Sequence, residues 1–292
     1  MSSTNRSWGY TREATAEDRQ AVADAQQLRA LAGDYDPEDF APGYRNPEAS
    51  RGSREQLVWL SQHFASADTY RARTWGYTIL RTTYADDAAF DAAVSTLDRY
   101  MRAMADRECW RVTNDLETLR NQGRLPMGAP TTADPRPSDE LYVRRFVNDV
   151  VQDRAALGEA TPTQACAFFR RWALERWHGE EWRFSAAGPR LKTAILFDEE
   201  TVAQLQGLVA HDFGAGEDPG GEARRVAREN WVKMVESEPK QRDLSQGLLE
   251  WFRIGFGDIH DFWFSRYITE PSVSGCWKLD DQFPGEWRFT WN

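Results

Sequence analysis

The stretch Arg73-Thr74-Trp75-Gly76-Tyr77-Thr78-Ile79-Leu80-Arg81-Thr82-Thr83-Tyr84 decides how the chain folds. Thr, Tyr, Ile and Trp suit a pleated, half-buried surface. Alternation places Trp75, Tyr77, Ile79, Arg81 and Thr83 on one face, and Gly76, Thr78, Leu80, Thr82 and Tyr84 on the other. Neither face is purely polar, so both are expected to be covered and the strand to be central. Gly76 marks either a bulge or a close backbone approach. Arg81 puts a charge on an apolar face. It either reaches from the strand end into solvent or lies buried and holds an anionic group through its planar fork.

Asp86 and Asp87 follow, and Asp suits both an N-cap and the first helical turn. Phe90, Ala93, Val94, Leu97, Met101 and Met104 recur at three- and four-residue steps, the pattern of one apolar helical stripe. The unit is strand, short turn, amphipathic helix.

The runs TWGYTILRTTY, LKTAILFDEE and WVKMVE resemble a family of uncharacterised filamentous-fungal proteins with a TWG(F/Y)TxxRTxY strand, an amphipathic helix and an acidic strand end. The resemblance covers roughly residues 70–260. It implies a fungal, intracellular source. The family has no established activity, so no catalytic residue is carried over.

At 292 residues the chain is long enough for a full core. A hydrophobic share of 41% and a charged share of 28% are ordinary for a globular protein, whereas 13 Trp are not. They imply a bulky core or an aromatic-lined pocket. The net charge of −10 repels a phosphate backbone, and the basic pairs Arg144-Arg145, Arg170-Arg171 and Arg224-Arg225 form no run. No nucleic-acid partner is expected. Cys109, Cys166 and Cys276 are far apart and form no CxxC, the pattern of reduced thiols. Without a signal segment or an 18-residue apolar run, the expected location is the cytoplasm, with no membrane partner.

In chain order, an N-terminal helical arm is expected over residues 1–70 and an α+β core over residues 71–292. The arm holds helices near 14–32 and 53–65. In the core, the helix after the first strand is expected to end near Asp106, and residues 107–122 are a candidate continuation of it. Residues 123–138, rich in Pro and Gly, form a loop. Strands are expected at 141–151, 191–197, 231–235 and 251–256. Thr161-Pro162 opens a helix over Ala165, Phe168, Phe169 and Trp172. Shorter helices follow Asp198 and Asp258. The aromatic tail, with Trp277, Phe283, Trp287, Phe289 and Trp291, is expected to pack back onto the body. This order suggests a mainly antiparallel sheet with helices packed on one face, a ferredoxin-like core. No Gly-rich turn follows the first strand, as a doubly wound dinucleotide fold would require. Dimerisation through the sheet is an expectation from fold analogy alone.

The site candidates centre on Gly257-Asp258-Ile259-His260-Asp261-Phe262-Trp263. An imidazole flanked by carboxylates can act as a general base near neutral pH. The competing explanation is that Asp258 caps a helix and His260 is exposed. His211-Asp212 and His260-Asp261 lack the further ligands of a metal site. Asp149 with Asp153, and Asp198 with Glu199 and Glu200, sit at strand ends, where acids usually cap helices or face water; magnesium binding through two of them is the alternative. Cys109 and Cys166 lie beside aromatic residues and suit a core.

Two functions fit these residues. In the first, the chain is a cofactor-free small-molecule binder or enzyme, acting by acid/base chemistry such as tailors secondary metabolites. His260, Asp258 and Asp261 would be catalytic. Arg81, Trp75, Tyr77, Arg253 and Trp263 would hold an organic ligand in an aromatic-lined pocket. In the second, the chain is a non-catalytic interaction or structural protein whose Trp residues serve core and interface.

Overall fold

The structure, a computed structural model, describes residues 74–123, 145–177, 188–213, 227, 229–243, 247–268, 277–279 and 287–289. Of these, residues 108–120, 239–243, 247–249, 264–268, 277–279 and 287–289 are described by their backbone alone. The expected N-terminal arm over residues 1–70, the Pro- and Gly-rich loop from residue 124 onward, and Phe283 and Trp291 of the tail lie outside the described residues.

Seven strands form one sheet in the order β2-β1-β3-β4-β5-β7-β6. They are β1 (Thr78–Arg81), β2 (Asp149–Val151), β3 (Thr193–Phe197), β4 (Trp231–Asp243), β5 (Gly247–Gly255), β6 (Trp277–Leu279) and β7 (Trp287–Phe289). The organising stretch is central, as its two apolar faces require. β1 pairs in parallel with β2 on one side and β3 on the other, with Leu80 opposite both Val151 and Leu196. β4 and β5 add antiparallel to β3, and the tail joins through β7 beside β5.

The sheet is therefore mixed and not mainly antiparallel. The helices also cover both faces, not one. Ile79, Ile195, Phe197, Met234 and Phe252 pack against α1 (Asp87–Asn121), α5 (Glu199–Gln206) and α6 (Ile259–Ile268). Leu80, Ala194, Leu196 and Val235 pack against α2 (Arg154–Leu157), α3 (Pro162–Arg176) and α4 (Pro189–Lys192). The physical reason is the composition of β1 and β3. All nine of their residues are buried, so a one-sided helical layer would leave Leu80, Ala194 and Leu196 in water. A fully buried Leu or Phe contributes about 1.5–3 kcal/mol. The arrangement is a three-layer α/β/α core and does not support a ferredoxin-like assignment, whose helices share one face.

Local chemistry sets the element ends. The Asp86 carboxylate accepts the Ala89 N–H at 2.9 Å and starts α1. Thr161 and Gln164 form a capping box before Pro162 at the start of α3. Gly76 is a close approach, with φ +132°. A Cβ there would lie 2.5 Å from the Val147 carbonyl oxygen. The approach brings the Phe146 bridge beside Trp75, so the second strand is shorter than expected and its regular pairing begins at Asp149. The buried guanidinium of Arg190 binds the amino ends of these strands by donating to the carbonyls of Val147 (2.6 Å) and Tyr77 (3.4 Å).

Candidate functional site

The connections that leave β1 and β3 at their carboxyl ends diverge. α1 leads towards β2 on one side, and α5 leads towards β4 on the other. In open sheets with parallel strands, ligands bind outside the carboxyl ends where successive connections part in this way. A cleft of about 740 Å³ opens at that place. Its walls are Thr82 to Ala85 after β1, Arg154 and Gly158 to Ala160 around α2, Asp198 to Glu200 at the start of α5, and Lys233 on β4.

The floor of the cleft is a quartet of charges. Asp198 caps α5, accepting the Thr201 N–H at 2.8 Å through one oxygen and Lys233 Nζ at 2.6 Å through the other. Lys233 Nζ also lies 2.5 Å from Glu200 Oε2, and Arg253 Nη2 lies 3.5 Å from Glu200 Oε1. Lys233 and Arg253 face each other across the β4–β5 register and are nearly buried. The Arg253 guanidinium stacks 4.4 Å from the Trp231 ring centre. Two carboxylates meet two cations, so the quartet is neutral. Its buried members are paired, as buried charges must be.

The upper wall is built on Tyr84. Arg81 packs on its ring at 4.6 Å and Arg154 at 5.5 Å. The Tyr84 hydroxyl is shielded from solvent and, among the described residues, has no hydrogen-bond partner. Burial pushes the Tyr84 phenol up, while the positive charge of Arg81 pulls the other way. The net shift is upward, so the group stays a neutral O–H donor near pH 7. Beside it Glu159 has φ +61°, rare for a residue with a Cβ, and its N–H is held by the Thr82 carbonyl at 3.0 Å.

None of the eight site residues expected from the sequence lines this cleft. Arg81 comes nearest. It is buried, and the anionic group it holds is internal. It donates to the Asp87 carboxylate, to the Thr83 carbonyl at 2.8 Å and to Gln152 Oε1 at 3.2 Å. It braces the turn that carries Tyr84. Arg253 lies in the quartet beneath.

Trp75, Tyr77, His260 and Trp263 are brought together, but on the α6 side of the sheet and within the packed core. The His260 ring meets Trp75 edge-on at 5.7 Å, and Trp263 meets Trp75 likewise at 5.7 Å. Trp263 Nε1 donates to the Gly76 carbonyl at 2.9 Å, and the Tyr77 hydroxyl donates to the Ile259 carbonyl at 2.6 Å. His260 is 0% exposed, with Nδ1 3.2 Å from Asp261 Oδ1. Asp258 and Asp261 are half-buried. The imidazole is thus neither surface-exposed nor on the wall of the cleft. The two tryptophans fill the core at this place.

The sequence reasoning missed Tyr84, Arg154, Glu159 and Lys233 as site residues and read Asp198, Glu199 and Glu200 as strand-end acids that cap a helix, face water or hold magnesium. The signal that could have found them is topological. Once β1 and β3 are known to be parallel neighbours, their carboxyl ends coincide. Among the described residues, no three His, Cys, Asp or Glu side chains are grouped to hold a metal ion, and no helix is long and apolar enough to cross a membrane. Cys166 is core, as expected. Its thiol lies 3.0 Å from the Glu236 carbonyl, and burial pushes it up to about 12. No protein-family model, no curated protein and no solved structure matches the chain.

Proposed function

We propose that the protein binds a small polar organic molecule in the cleft at the carboxyl ends of β1 and β3. The observation that carries this is a cleft of ligand size where the connections from β1 and β3 part, walled by Tyr84 and by charged side chains. Volumes of 300–1,000 Å³ are usual for small-molecule sites, and this one falls within the range. The cleft is polar where the sequence suggested an aromatic lining. Tyr84 is its one aromatic wall residue among the described residues.

The binding needs no cofactor in this reading. Any acid/base step would fall to Glu159 or Glu199, because these groups line the cleft and His260 does not. The fungal resemblance and a cytoplasmic location remain part of the proposal and add no activity to it. A purely interacting protein is less favoured. Among the described residues the one large hydrophobic side chain that is exposed is Val209, so no apolar docking patch supports it.

The test is a thermal-shift screen of the wild type against a panel of polar metabolites, beside Glu159→Gln and Arg154→Gln. A ligand present at a hundred times its dissociation constant stabilises the fold by about 2.7 kcal/mol. Stabilisation of the wild type that both variants lose supports the cleft. Stabilisation that survives in both variants, or none across the panel, contradicts it.

A further inference from the structure

Two contacts fix how α1 lies along the first strand. At its start, Arg81 at the carboxyl end of β1 donates to Asp87. Further along, Arg102 donates at 3.2 Å to the carbonyl of Phe146, which bridges Trp75 at the amino end of the same stretch. By Arg102, therefore, α1 has run back past the whole of Trp75 to Arg81. It continues to Asn121, about 28 Å further at 1.5 Å per residue. The apolar pattern changes face at this point. Phe90, Ala93, Leu97, Tyr100, Met101 and Met104 form the stripe packed on the sheet. Cys109, Val112, Leu116 and Leu119, again at steps of three and four, form a second stripe. At 3.6 residues per turn its centre is rotated by about 90° from the first. The second stripe thus needs a partner of its own.

We infer that this partner is the chain's own N-terminal arm: residues 53–65, whose spacing predicts a helix, seat Leu57, Leu60 and Phe64 on the second stripe of α1. Place, charge and length argue for it. The chain enters the described fold at Thr74, beside Trp75, so the arm is delivered where α1 passes the amino end of the strand. The linker from Ala65 to Thr74 spans up to about 30 Å, and the middle of the second stripe lies about 18 Å along α1 from Arg102, so the tether reaches. Asp106, Glu108 and Asp115 flank the stripe against Arg120, whereas residues 51–73 carry Arg51, Arg54, Arg71 and Arg73 against Glu55 and Asp68. The charges are complementary. The helix expected over residues 14–32 is acidic instead, with Glu17, Asp18 and Asp24 against Arg19 and Arg29. A second copy of α1 would bring like acids together. The stripe is also shorter than two heptads, where a free-standing coiled coil takes about three or four. A tethered helix escapes that requirement, because a short linker gives an effective concentration of about a millimolar. The seat is remote from the cleft, which opens at the opposite, carboxyl ends of β1 and β3, so the inference stands apart from the proposed binding.

The test is disulfide trapping in the full chain, with Cys276→Ser removing one thiol, Cys166 buried in the core and Cys109 kept as the reporter. Leu57→Cys, Leu60→Cys and Phe64→Cys are introduced singly, beside Glu55→Cys on the opposite side of the expected helix and Leu28→Cys in the earlier one. A disulfide forms readily only where two Cα atoms come within about 7 Å. Under mild oxidation at least one of the three stripe variants is expected to bond to Cys109 within one chain, about ten times faster than Glu55→Cys or Leu28→Cys, as read by peptide mass mapping. Equal rates at all positions, or no bond to Cys109 from any of the three, would overturn the inference. A faster bond from Leu28→Cys would give the seat to the earlier helix, and bonds between chains would give it to a second copy; either result overturns it as well. A second readout does not depend on an introduced thiol. In the Cys276→Ser chain, Leu60→Lys should speed labelling of Cys109 by an aromatic disulfide reagent about tenfold, with the circular dichroism of the fold unchanged. An unchanged labelling rate would contradict the seat.

Discussion

Lys233 Nζ lies 2.6 Å from the Asp198 carboxylate, which at once caps α5 and ends β3. One ammonium thus joins the fourth strand to the carboxyl end of the third, at the floor of the cleft. Lys233→Met removes the cation and leaves Asp198 and Glu200 facing each other with only Arg253 to offset them. Breaking a buried pair from one side costs about 3–5 kcal/mol, and the partial exposure of Glu200 lowers the figure here to about 2 kcal/mol. Urea denaturation should show that loss. A variant as stable as the wild type would mean the pair is solvated and the floor not preformed.

Gly76 is expected to be the least replaceable glycine among the described residues. Gly76→Ala sets a Cβ 2.5 Å from a backbone oxygen at φ +132°, a clash with no flexible side chain to yield. The cost should be about 3 kcal/mol or more. Gly123→Ala, at φ +62° with open space around it, should cost about 1 kcal/mol. Equal midpoints for the two variants in denaturant would refute the close approach between β1 and the segment before β2.

Asp98 gives a pH signature. Burial raises its carboxyl above the usual value of 3.8, against the Asn148 hydrogen bond of 2.6 Å and the charge of Arg102, which both lower it. A carboxyl raised in the folded state binds its proton more tightly there than when unfolded. Its contribution is therefore full below the unfolded pKa and is lost as pH rises through the folded one. Asp98→Asn should cancel this term. The stability of the variant relative to the wild type should rise as pH increases from about 3.5 towards neutrality. A difference that stays flat, or falls, would contradict the desolvation of Asp98.

Cys166 should be silent in the native state. Its thiol is buried and pushed up to about 12, so the thiolate that reacts is scarce at neutral pH. In a chain with Cys109 and Cys276 replaced by Ser, an aromatic disulfide reagent should label Cys166 only as fast as the protein opens. Rapid labelling under native conditions would contradict the packing of α3 on β4.

Much of the fold was legible because local chemistry agreed with tertiary structure. The two apolar faces of residues 74–84 announced a central strand. Asp86, Thr161 and Asp198 announced three helix starts, and the stripe from Phe90 to Met104 announced α1. What failed was long-range. Strand direction leaves little trace in a four-residue strand such as β1, so the parallel pairs with β2 and β3 were missed and the helices were assigned to one face. The site failed for the same reason. The cluster Asp258-His260-Asp261 was conspicuous because its members are close in sequence, yet its imidazole packs on Trp75 in the core. Tyr84, Arg154, Glu159, Glu199 and Lys233 are ordinary one by one, and they become a site only where two strand ends and a helix meet.

The central claim is that ligands occupy the cleft at the carboxyl ends of β1 and β3. The most direct measurement is chemical-shift mapping of the isotope-labelled chain during titration with the panel molecule that stabilises it most. The account predicts that the amide signals that move most belong to residues 82–85, 154–160, 198–200 and 233. Movement concentrated on the indole and backbone signals of Trp75, Tyr77, His260 and Trp263 would place the ligand in the aromatic core and contradict it.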